Sequence, residues 1–153
     1  MTIKNISTVT LSLLIILNIA NFSKVLISFE ESFIYLFLFS KESLSLICHQ
    51  QQEKLFSLFG FHSILCSRCT GIYFGALVLN VALLFFSFEK VNWRKFFYLS
   101  IFLMIIDIIF YQLGFYKYSQ IIAASTGILL GAASLGLLLS GLKLFLQEIN
   151  RTK

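Results

Sequence analysis

Proline is absent from the 153 residues and charge is scarce, with Asp, Glu, Lys and Arg together making up 12% of the chain. Without proline, helices run with no ring to break their hydrogen-bond ladder. With so few charges the chain falls far from the composition of a soluble domain, where about 25% of residues are charged. Cysteine is limited to three residues, an odd number that leaves one thiol over in any disulfide framework, and all three lie between Cys48 and Cys69. A covalent haem site is excluded because Thr70, not histidine, follows the Cys66-Ser67-Arg68-Cys69 pair. There is no phosphate-binding glycine loop, no dinucleotide fingerprint and no Gly-x-Ser-x-Gly elbow, so nucleotide and serine-hydrolase chemistry are disfavoured.

What the chain has in abundance is apolar residues: 58% are hydrophobic and 18 are Phe, with a mean hydropathy of +0.89. The expectation is an all-α polytopic membrane protein, a single integral membrane domain over 1–153. A bilayer core of about 30 Å needs about 20 apolar residues as helix, and four stretches meet that length: 6–29, 71–88, 96–112 and 121–142. The reading is a four-helix transmembrane bundle with the lipid bilayer as its partner. The first stretch carries Asn18, Asn21 and Lys24, which places its outer half against protein or at the interface. It is long for a cleavable signal and no small-x-small site follows it, so it is read as retained.

The net charge of +5 comes from Lys and Arg at the edges of apolar runs, not from one basic face, which points to topology and away from nucleic acid. Lys90, Arg94 and Lys95 sit between the second and third stretches, and Lys143, Arg151 and Lys153 follow the fourth. These groups belong in the cytoplasm, which predicts that both termini are cytoplasmic and that 30–70 is an outer segment of a cell-membrane protein. Within that segment, Phe33 to Phe39 and Leu44 to Ile47 are apolar, but Lys41 and Glu42 interrupt them. They are expected as interfacial or re-entrant helices capping the bundle, with a fifth span over 33–47 as the alternative.

One internal repeat is present. Thr70 to Leu79 aligns without gaps to Thr126 to Leu135, sharing Thr, Gly, Ile, Gly, Ala and Leu. The predicted topology makes both helices parallel, as in a duplicated hairpin. The alternative is chance recurrence of small residues in apolar sequence. Gly71 with Gly75 and Gly127 with Gly131 provide small-xxx-small faces suited to close helix packing, to a second copy or to a membrane partner.

The segment from Cys48 to Cys69 carries the chemistry. A Cys-x-x-Cys pair brings two thiols within reach of one metal or of each other, and a third Cys with a histidine completes an N/S set. The predicted ligands are Cys48, Cys66 and Cys69 with either His49 or His62, and the metal is zinc or iron. Arg68, between the paired cysteines, favours thiolates, and the alternative role for it is an interfacial anchor. Asp107 is a carboxylate inside an apolar run and requires a partner or a cavity. A pair with Arg68, a carboxylate orienting His49, or a hydrogen bond to Ser125 or Thr126 are all open.

Cys48-His49-Gln50 and Cys66-x-Arg68-Cys69-Thr70-Gly71-Ile72-Tyr73-x-Gly75 resemble the family known as domain of unknown function 2085, small predicted membrane proteins. Asp107, Gln112, Thr126-Gly127 and Gly131 add weaker similarity. The chain departs from that family's pattern with Gln52 in place of a proline, Lys54-Leu55 in place of Arg-Ser, and Ala123 close to where an arginine is usual. The resemblance covers roughly the last two thirds of the chain, and implies a membrane location and a shared site but no activity. Two other functions compete with a metal site. One is a membrane thiol-disulfide oxidoreductase, quinone-linked, using Cys66 and Cys69 as a redox pair with Cys48 as exchange partner. The other is an accessory subunit or transporter component with Asp107 on an ion path.

Overall fold

A computed structural model describes residues 3–24, 33–46, 48, 52–58, 61–86 and 91–151. Helix α1 spans Ile3–Asn21 and α2 spans Ile34–Ser45; a short 3-10 turn, Gln52–Lys54, leads into a hairpin of β1, Leu55–Leu58, and β2, Phe61–Cys66. Three long helices follow: α3, Ser67–Phe85, α4, Trp93–Gln112, and α5, Gln120–Arg151. Helices α3, α4 and α5 up to Ile149 are long and apolar enough to cross a membrane, and α1 supplies a shorter apolar helix, Ser7–Asn21. Residues 25–29 and 87–88 of the expected spans lie outside the described residues.

The boundaries have local causes. Helix α4 begins at Asn92, whose side chain accepts the Lys95 N–H. It ends in a Schellman turn: Gly114 takes φ +76, its N–H donates to the Tyr111 carbonyl and the Phe115 N–H to the Phe110 carbonyl. The rings of Phe110 and Phe115, centroids 5.3 Å apart, supply the hydrophobic contact of that motif. Helix α3 starts four residues before the expected Gly71, because Cys66 is extended and serves as its N-cap residue. Helix α5 runs for 32 residues, about 48 Å at 1.5 Å per residue, well beyond both the expected 121–142 and the bilayer core.

The helices pack as two similar pairs. Helix α1 lies antiparallel to α3, with Ser7 bonded to Asn80, Asn18 to the Tyr73 carbonyl and Asn21 to Thr70. Helix α4 lies antiparallel to α5, with Ser100 directed at the Leu129 carbonyl and Trp93 against Gly136. The pairs join through α3 and α5, which run parallel in close backbone contact. A Cβ on Gly71 would strike the Ala124 carbonyl and one on Gly75 the Ile128 carbonyl; reciprocally, Gly127 faces the Arg68 carbonyl and Gly131 that of Ile72. Each glycine of one repeat meets the residue equivalent to its own position minus three in the other, the self-complementary pattern of a two-fold contact. Both glycine faces, expected also as surfaces for a second copy or partner, are thus used against each other inside one chain.

The cap differs from expectation. Its helix α2 has 12 residues, too short for the alternative fifth span. Helix α2 lies within the stretch 33–47 expected as capping helix, and strands β1 and β2, which were not expected, pair antiparallel with Leu55 opposite Cys66, Ser57 opposite His62 and Leu58 opposite Phe61. The fold is therefore helical with a small β cap, not all-α. Side chains complete the hairpin's hydrogen bonding: Asn21 accepts the Leu65 N–H at 2.9 Å, and across the strand pair, where the register shifts between Leu55 and Ser57, Ser63 accepts the Phe56 N–H at 3.1 Å. Leu44, Cys48, Ile64 and Leu65 form one apolar cluster beneath the cap, bordered by Phe37 and Tyr73.

Candidate metal centre

The cap and the start of α3 bring the three cysteines together. Cys66 closes β2, Cys69 sits in the first turn of α3, and Cys48 follows α2 with its N–H donating to the Leu44 carbonyl at 3.1 Å. Their Sγ atoms all lie within 4.8 Å of one another, Cys48 buried and the other two half-buried. All three are free thiols. Cys48 Sγ accepts the Cys66 N–H at 3.4 Å, tying the first cysteine to the pair.

The surroundings favour a thiolate at Cys66. Its thiol is pushed down to about 5, first by the hydrogen bond from the Cys69 thiol, with the Cys69 and Arg68 backbone N–H groups and the Cys48 thiol adding to the effect and burial opposing it. No capping hydrogen bond of full geometry is made to its side chain, but a helix N-terminus presents unpaired N–H groups to an anion placed there. Low thiol pKa at such a position is the condition for metal binding or thiol exchange.

Arg68 pairs with Asp107. Its Nε and Nη2 donate to Asp107 Oδ2 at 3.2 and 2.5 Å. The Asp107 side chain is 6% exposed and that of Arg68 19%, so the ion pair is largely withdrawn from water. Tyr116 occupies the other carboxylate oxygen, Oδ1, and also donates to the Asp107 carbonyl at 3.1 Å. Desolvation, then the bond to Asp107, pushes the Tyr116 phenol up to about 12, so it stays a donor at neutral pH. Among the open partners for Asp107 that are described, Arg68 is the one found; the Thr126 hydroxyl bonds instead to the Ile122 and Ala123 carbonyls, and that of Ser125 to Ile121, while His49 lies outside the described residues.

The hairpin is docked beside this pair. Lys54 Nζ lies 5.2 Å from the Tyr111 ring centroid, the Ser67 hydroxyl donates to the Lys54 carbonyl at 3.1 Å, and the Ser57 hydroxyl to Gln120 at 3.0 Å. His62 is exposed on β2 and lines an open depression with Lys24, Glu53 and Leu55, outside the group of three thiols found among the described residues. His49, the other expected histidine ligand, lies outside the described residues, as does Gln50.

Tyr116 and Asn21 are the residues that sequence reading did not assign to the site. Tyr116 had a usable signal: a buried carboxylate has two oxygens to satisfy, and a tyrosine just past a glycine helix terminator is placed to fold back onto that helix. Asn21, expected against protein or at the interface, is 1% exposed and bonds to both Leu65 and Thr70.

Comparison with known proteins gives the following. Residues 48–137 match the family model DUF2085, described as "Predicted membrane protein". An uncharacterised protein of Methanocaldococcus jannaschii is 53% identical over 34 residues, 22% of this chain and 22% of that protein. An uncharacterised protein of Methanothermobacter thermautotrophicus is 57% identical over 30 residues, 20% of this chain and 27% of its own length. The matches thus span about a quarter of either relative. No solved structure matches.

Proposed function

The chain belongs to the DUF2085 family of predicted membrane proteins, and on that footing we propose that it is a small membrane protein whose Cys48, Cys66 and Cys69 hold one metal ion, zinc or iron, at the outer boundary of a four-helix bundle. The observation that carries this reading is the convergence of three free thiols within 4.8 Å, drawn from three separate places in the fold. A metal–sulfur bond of about 2.3 Å sets tetrahedral ligand sulfurs about 3.8 Å apart, so the trio needs only a small contraction to close on an ion. A histidine supplies the fourth donor; chain adjacency to Cys48 favours His49 over His62, whose side chain is exposed. Such a centre fastens α2, the hairpin and α3 together.

The sidedness follows from charge. Ser7, Asn80, Trp93 and Gly136 lie at one end of the bundle, and Asn21, the cysteines and Asp107 at the other. Arg94, Lys95 and Lys143 belong to the first end, which supports its assignment to the cytoplasm with both termini. One further reading has its own support: a Cys66 thiolate within reach of two other sulfurs also suits thiol-disulfide exchange. The two readings separate on Cys66→Ser and Cys69→Ser proteins purified in detergent. Metal bound by the wild type and lost from both variants is the expected result. Equal metal content in all three proteins would contradict ligation by these thiols.

A further inference from the structure

Arg68 stands between two of the three thiols, one residue from Cys69 and two from Cys66. A guanidinium is always charged and binds anions through a planar fork of donors. In a site shielded from water, a thiolate is an available anion for it, and a thiolate paired with arginine is hindered from serving a cation. Yet both Arg68 donors found here, Nε and Nη2, go to Asp107 Oδ2 at 3.2 and 2.5 Å. Asp107 comes from α4, which is not a neighbour of α3 in the bundle but is reached across the start of α5. Gly127 and the small side chains of Ala123 and Ala124 leave that crossing open: the Arg68 carbonyl lies directly on Gly127, and Ala123 is fully buried.

The carboxylate is itself fixed. Tyr116 donates to Oδ1 and to the Asp107 carbonyl, and it is delivered there by the Gly114 turn that ends α4. A buried carboxylate with both oxygens engaged and an arginine on one of them has little freedom to release the guanidinium.

We propose that Asp107 and Tyr116 are positioning residues of the thiol centre: they hold the Arg68 guanidinium off the cysteines, so that the three sulfurs remain available to a metal cation. This rests on the metal reading. Asp107 and Tyr116 touch neither sulfur nor metal; they act through Arg68.

The test is titration of metal-free, reduced, full-length protein in detergent with Co2+, followed by thiolate-to-cobalt charge-transfer absorption, alongside thermal unfolding of each variant. Asp107→Asn is expected to weaken Co2+ binding by about 10- to 100-fold, the usual size of an outer-sphere effect. The double variant Asp107→Asn with Arg68→Gln is expected to regain most of that loss, because the freed guanidinium is gone. Tyr116→Phe, which keeps the carboxylate, is expected to shift affinity in the same direction by less. A purely structural pair would lower thermal stability in Asp107→Asn and leave Co2+ affinity and the absorption band unchanged, which would overturn the proposal. Failure of the double variant to regain affinity would also overturn it. If Asp107→Asn does not fold, Tyr116→Phe decides alone, and wild-type affinity in that variant counts against the proposal. A wild type that binds Co2+ without thiolate charge transfer, or not at all, removes the metal reading itself, a different outcome from a wild type that binds and variants that do not differ.

Discussion

At the scale of single residues, several of the buried polar side chains among the described residues tie separate elements together. Asn21 shows the pattern: its carbonyl oxygen takes the Leu65 N–H and its amide donates to the Thr70 hydroxyl at 3.1 Å, so one side chain ties α1 to the end of β2 and the start of α3. Replacing Asn21 by Leu strands a buried N–H, which costs about 1 to 3 kcal/mol, and the expected result is a lower unfolding temperature with weaker metal retention, because Leu65 directly precedes Cys66. Wild-type retention in a destabilised Asn21→Leu protein would separate the hairpin's stability from the site. The cysteines stood out in the sequence by their clustering and Cys-x-x-Cys spacing, and Arg68 and Asp107 because a charge is costly in an apolar setting and so demands a partner. The choice among partners was not legible. Whether Asp107 would meet Arg68, Ser125 or Thr126 depends on how α4 is rotated against α5, and nothing local to Asp107 encodes that angle.

At the scale of elements, the parallel α3–α5 contact is the strongest constraint. Apolar helices gain no hydrophobic drive from meeting each other in lipid, so close packing at small residues must supply the association. Gly131→Ala puts a methyl onto the Ile72 backbone, and overpacking of this kind costs about 1 to 3 kcal/mol. Gly141 lies in the same helix with nothing within 4 Å of an added Cβ, so Gly141→Ala is expected to be neutral, or stabilising by up to about 1 kcal/mol from helix propensity. Thermal unfolding of the two variants in one detergent checks this; equal effects would mean that the glycines matter for propensity and not for contact. The repeat that carries this interface was visible in the sequence as ten aligned residues, because glycine at four-residue spacing marks a helix face whatever its partner. The hairpin was not visible. Its strand Phe61–Cys66 is a short apolar run joined to a longer one, and periodicity does not distinguish a short buried strand from a helix segment. The Asn21 and Ser63 side chains that complete its hydrogen bonding become informative only once the elements are assembled. The end of α5 was missed for a related reason: Lys143 and Glu148 end an apolar run, which bounds a membrane span but does not end a helix.

At the scale of the whole molecule, the geometry is a pair of antiparallel hairpins, α1 with α3 and α4 with α5, joined by a parallel central contact and closed at one end by the cap. The start of α1, the end of α3 and the start of α4 lie at the end of the bundle opposite the thiols, which gives an expectation for sidedness. In intact cells, a membrane-impermeant maleimide applied after chelation should label the cysteines, while tags at both termini should be protected from external protease. Labelling that requires permeabilised cells would reverse the orientation. The family membership and the membrane location were accessible from composition and from the Cys-His-Gln and Cys-x-Arg-Cys-Thr-Gly-Ile-Tyr motifs; the closure of Cys48 onto the pair was only a hypothesis until the cap was seen to fold back. Metal binding by that closed trio would contribute directly to folding stability. The most direct measurement is therefore the metal content and reactive-thiol count of the purified wild-type protein, taken before and after chelation. The expected result is about one equivalent of zinc or iron, with the thiols protected until the metal is removed and the unfolding temperature falling on its removal. Protein that carries no metal and shows a reducible Cys66 to Cys69 bridge would contradict it.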